Sequence, residues 1–170
     1  MSTAAATAPV RPTPETPEPR ARRRLLLLAA LVVLALAATL GVRAVMAHAD
    51  DVRSGTEAVS AEAFASRTGA KITLLGVTGG GGMVELRYQV TDPDKASLLL
   101  HQEDKRPVLV VEDTGAVLAM VSRPHNHKAE LTLGGTYFFL MANTRNALHD
   151  GTRVTVIVGD VRLEHVVAQA

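Results

Sequence analysis

Residues 84–91 read Val84-Glu85-Leu86-Arg87-Tyr88-Gln89-Val90-Thr91, and this alternation decides the fold. Successive side chains of an extended chain point to opposite sides, so Val84, Leu86, Tyr88 and Val90 share one face and Glu85, Arg87, Gln89 and Thr91 the other. A half-buried β-strand has this period of two. Similar runs occupy 71–77, 108–111, 116–121, 128–133, 136–142, 153–158 and 161–168. Between them stand turn residues: Gly79 to Gly82, Asp113-Thr114-Gly115, Gly134-Gly135 and Gly159-Asp160. About eight short strands predict an all-β antiparallel sandwich over 70–170. Asp92-Pro93-Asp94 interrupts the series, and Asp94 is read as the cap of a helical turn over 95–101.

At Gly135-Thr136-Tyr137-Phe138-Phe139-Leu140 a Gly-x-Tyr step opens an apolar strand. The step resembles the tyrosine corner of immunoglobulin-like and fibronectin-type domains, where the Tyr hydroxyl bonds back to the preceding connection. The resemblance spans about ten residues and implies an immunoglobulin-like Greek-key sandwich, with no activity attached. The disulfide and core tryptophan of antibody domains are absent, since the chain has no cysteine and no tryptophan. The closing hairpin GTRVTVIVGDVRLEHV, residues 151–166, is similar to those of bacterial membrane-anchored extracytoplasmic sandwich proteins.

Outward from the domain, 48–69 is polar and small-residue-rich and reads as a stalk with a helical turn over 59–64. Before it, 25–42 is LLLLAALVVLALAATLGV, free of charge. At 1.5 Å per residue such a run covers roughly 27 Å, and with 43–47 added it spans a hydrocarbon core. Leu25 to Ala47 is therefore the expected transmembrane helix. Arg20, Arg22, Arg23 and Arg24 flank its N-terminal side and place that end in the cytoplasm by the positive-inside rule, which puts the domain outside. Ala47-His48-Ala49 also fits a signal-peptidase site, but the apolar core of a signal peptide usually runs about 7 to 15 residues, so the longer run favours a retained anchor. Residues 1–24 begin with a Pro, Ala and Thr mixture that has little to bury, and read as a disordered cytoplasmic tail.

Composition and motifs exclude several classes of function. Beyond residue 70 the basic and acidic side chains are interspersed, so no basic face is offered to nucleic acid. Without cysteine there is no thiolate metal site and no thiol nucleophile. Gly79 to Gly82 leads into a strand and not into a helix N-terminus, so it does not cradle phosphate. No Gly-x-Ser-x-Gly elbow or acid pair supports an enzyme.

Two readings remain. The first is an anchored binding or assembly module that needs no cofactor and contacts another membrane or exported protein. Tyr137, Phe139 and Met141 are its docking patch if their strand lies at a sheet edge, and core residues if the strand is central. The second is an extracytoplasmic copper-binding protein. His125 and His127 fall on one side of an extended backbone with Met120 upstream, and Met141 could join them, because imidazole and thioether ligands suit copper.

Overall fold

The computed structural model describes residues 19–120 and 130–170; residues 1–18 of the expected tail, and His125 and His127, lie outside them, while residues 19–24, expected as the end of that tail, are helical. Helix α1 covers Pro19–Arg53, and within it Ala21–Arg53 is long and apolar enough to cross a membrane. The chain divides into two compact units, Met1–Leu40 and Gly41–Ala170. Among the described residues the first is helix alone. The second holds the last turns of α1 and every strand.

Those strands are β1 (Glu57–Ala58), β2 (Ala70–Thr78), β3 (Met83–Val90), β4 (Val108–Val111), β5 (Val117–Ala119), β6 (Thr136–Ala142), β7 (Arg153–Val158) and β8 (Val161–Val167). They form a five-stranded sheet ordered β1-β8-β7-β4-β5 and a three-stranded sheet ordered β2-β3-β6. All pairings are antiparallel except β1 with β8, which is parallel. Two helices belong to the same unit, α2 (Ala61–Thr68) and α3 (Pro93–His101). The domain is thus mostly β and not all-β as expected.

The sheets share one core. Val84, Leu86 and Tyr88 of β3, with Phe139 and Met141 of β6, face Leu109, Val111, Val154, Val156 and Val158 of the larger sheet. The Tyr88 ring stacks on Phe139 at 5.2 Å between centroids, and burial pushes its hydroxyl pKa up to about 12, with Tyr137 adding to the shift. The larger sheet is covered on its other face as well. There Ala49 and Val52 of α1 pack on Val108, Val110, Val117 and Ile157. This double burial explains why β7, RVTVIV, is buried at every position from Val154 to Val158.

Residues expected to be a stalk are part of this fold. Glu57 N–H donates to Asp160 O at 2.8 Å and Val59 N–H to Arg162 O at 3.0 Å, which adds β1 to the sheet edge. Ser60 caps α2, its Oγ accepting from Ala63 N–H at 3.2 Å, and Phe64 is fully buried. Helix α3 is capped by Asp92 and not by Asp94. The Asp92 carboxylate accepts from the N–H groups of Asp94 and Lys95 at 3.1 and 3.2 Å, and Pro93 takes the first helical position, where no N–H is needed. The strand expected over 128–133 is not formed over its described residues 130–133, which are turn and irregular chain. Strand β1 instead completes the eight.

Candidate functional site

The three-stranded sheet buries one face and leaves the other open. Register places Leu74, Arg87 and Phe138 in one row across the open face, Gly76, Glu85 and Leu140 in the next, and Thr78, Met83 and Ala142 in the third. Phe138 is 58% exposed, Leu140 44% and Met83 36%. The two charged groups at the centre neutralise each other, Arg87 meeting Glu85 at 2.6 Å. An apolar surface with no net charge at its centre results.

Strand β6 bounds this face. Among the described residues it pairs only with β3, and its sequence TYFFLMA carries no charge, proline or glycine. Natural sheet edges are usually blunted by such residues. The residues expected as the outward patch are turned the other way: Phe139 and Met141 are buried and Tyr137 is half-buried against the core. The outward set is Phe138 and Leu140. Sequence alternation identifies both sets, but in a strand apolar on each face it cannot say which faces out.

Tyr137 has a task of its own. Its hydroxyl accepts from Thr132 N–H at 3.0 Å and donates to Glu130 O at 3.4 Å, so it ties the preceding connection to the start of β6. Gly135 makes room for it, since a Cβ there would stand 2.8 Å from the Tyr137 ring. The Tyr137 hydroxyl thus bonds back to the connection that precedes its own strand.

Of the proposed copper ligands, Met141 fits poorly. It is 1% exposed and packed in the core opposite Val84. Met120 is half-buried against the same core. His125 and His127 lie outside the described residues. Among the described residues no group of three or more His, Asp or Glu side chains is arranged to hold a metal.

One acid is gripped in an unusual way. Strand β8 bulges opposite Thr155, where His165 adopts a left-handed backbone with φ 61°. The Glu112 side chain, 13% exposed, accepts from His165 N–H at 2.8 Å and from Thr155 Oγ at 3.1 Å, and lies 2.9 Å from His165 Nδ1. Burial pushes the Glu112 carboxyl up, but these hydrogen bonds outweigh it and hold the group below its ordinary 4.5. A lowered carboxylate pKa adds stability that is complete above the unfolded value and is lost as pH falls through the folded one. Acid unfolding of the wild type is expected to steepen below pH 4.5, and Glu112→Gln to flatten that limb in a pH series of thermal melts. Asp160 and Glu62, also held low by hydrogen bonds, account for the slope that remains. An unchanged limb in the variant would remove Glu112 from the explanation.

Comparison of the chain with protein families, curated proteins and solved structures gave no match.

Proposed function

We propose that this chain is a single-pass, membrane-anchored binding module whose extracytoplasmic, immunoglobulin-like domain docks a partner protein along β6. The partner is an exported or membrane protein offering an extended, largely uncharged segment. One observation carries the reading: a seven-residue edge strand, free of charge, proline and glycine, has Phe138 and Leu140 exposed beside Met83. A strand added at such an edge gains main-chain hydrogen bonds, and alternate side chains give it specificity. Exposed apolar edges invite aggregation unless a partner covers them.

Other parts of the reading have their own support. Helix α1 supplies an anchor of sufficient length, and the arginines ahead of it favour a cytoplasmic N-terminus. The Tyr137 hydrogen bonds favour kinship with tyrosine-corner sandwiches. On this reading the module acts by contact alone, without catalysis or a cofactor.

The test is site-specific photocrosslinking of the full chain in its native membrane, with the probe at position 138, 140 or 71. Adducts are expected from 138 and 140 and not from Lys71, which is exposed on the opposite edge strand β2. With the probe moved to position 142, a Phe138→Glu, Leu140→Lys double variant, which sets an opposite charge across from Arg87 and from Glu85, should lower the melting temperature only slightly, because both side chains are partly exposed, and should lose the adducts. Adducts of twice the chain's mass would make the partner a second copy. Equal labelling from 71 and 138 would overturn the proposal.

A further inference from the structure

The last turns of α1 and strand β5 enclose a groove of about 560 Å³ within the second compact unit. Its walls are apolar, from Ala44, Val45, Val117, Leu118 and Ala147, and its polar side chains include His48 and Arg145. No Asp or Glu lines it. None of the ion pairs formed among the described residues involves His48 or Arg145. The groove therefore sets the guanidinium of Arg145, with no acid in the lining, beside an apolar wall, which is complementary to an amphiphilic anion.

Arg145 is also placed at a conformational cost. Its backbone is left-handed, with φ 59° and ψ 25°, and Asn146 follows with φ 51°. Glycine relaxes in that region and a side chain strains it. Asn143 enforces the turn. Its buried side chain donates to Gly81 O at 2.8 Å and Leu148 O at 2.9 Å, and accepts from Leu148 N–H at 3.0 Å. An arginine standing at a position suited to glycine, in a turn locked by other residues, points to a task for its guanidinium.

The chain position names the ligand. Ala44 and His48 follow Val42, the end of the uncharged run, by two and six residues in a continuous helix. At 1.5 Å per residue these positions lie about 3 and 9 Å along the helix from Val42, on either side of the outer edge of a headgroup layer about 5–7 Å deep. We propose that the groove binds an anionic membrane phospholipid, with the phosphate against Arg145 and His48 and the upper acyl chain along Val45 and Val117. Guanidinium pairing with phosphate supplies the selectivity for anionic over zwitterionic lipid.

The proposal rests on the anchoring proposed above, and the two fail differently. If the full chain leaves liposomes in an alkaline wash, the anchor fails; the groove is judged only on chain that stays. That chain, in nanodiscs of mixed phosphatidylglycerol and phosphatidylcholine, is released into mild detergent and its retained lipids are counted by native mass spectrometry. Wild type and Arg145→Lys should keep phosphatidylglycerol in preference. Arg145→Gly should keep roughly tenfold less, as expected for losing one charge-assisted contact, and melt no lower because the backbone strain is relieved. Arg145→Asn, neutral and tolerant of the same backbone, serves if glycine loosens the turn. A photoactivatable phosphatidylglycerol should label the peptides holding Val45 and Ala147. Equal retention by wild type and the neutral variants, or labelling confined to 25–42, overturns the proposal. Displacement of the lipid by a carboxylate peptide at equal concentration would overturn it in favour of a protein ligand.

Discussion

Phe64→Ala is expected to destabilise the domain by about 3–5 kcal/mol, the usual cost of emptying a fully buried phenylalanine site. A chain that begins at Lys71 is expected not to fold. Phe64 has no exposure at all, and Ala65, Ala70 and Ala49 are buried alongside strands from both sheets. Removing residues before Lys71 deletes α2, uncovers the outer face of the larger sheet, and strips β1 from β8. It also deletes Arg67, whose guanidinium joins Glu57 of β1 to Asp160 at the β7–β8 turn. A domain of this size is stable by only about 5–15 kcal/mol, which these combined losses exceed. Circular dichroism of the full chain in mild detergent during guanidinium unfolding measures the first effect. The second is read from melting of the shortened chain, where a sharp cooperative transition would show that residues 48–70 are dispensable.

The same residues show where the sequence is legible and where it is not. The strands of the domain follow from alternation and turn chemistry, because a sheet with one buried face must repeat every two residues. Strands β3, β4, β6 and β7 lie where that pattern puts them. Residues 57–68 read as a stalk because Val59 and Phe64 are the only apolar side chains larger than alanine there. Tertiary context overrides that impression: a two-residue strand needs only backbone to pair, and α2 needs only Phe64 and small residues to seat against the core. The outward side of β6 was hidden for another reason. Phe138, Phe139 and Leu140 are all large and apolar, so the pattern is silent about the face that is open, and only the partner layers decide it. Methionine carries a similar ambiguity, since a core methionine such as Met141 has the same sequence signature as a metal ligand.

Gly69→Ala is expected to destabilise the domain by about 3 kcal/mol or more, whereas Gly134→Ala should cost only about 1 kcal/mol. Both glycines hold a left-handed backbone, Gly69 at φ 73° and Gly134 at φ 77°, so the conformational penalty of a side chain is nearly the same at each. Their surroundings differ. A Cβ on Gly134 meets nothing within 4 Å, while one on Gly69 would stand 2.4 Å from Asp92 O, 2.7 Å from Ala96 N and 2.8 Å from Lys95 Cβ. Those neighbours are backbone or the first side-chain carbon of α3, so rotating a side chain cannot relieve the clash. The helix itself has to move, and it is held where Gly69 O accepts from Thr91 N–H at 2.8 Å and Asp92 N–H at 3.2 Å. Ala96 and Leu99, buried in the core, would be dragged with it. The difference between the two variants in one unfolding series therefore isolates the packing of α3 against the end of α2 from the backbone term. Equal costs would mean that α3 yields freely and that its contact with Gly69 contributes little to the fold.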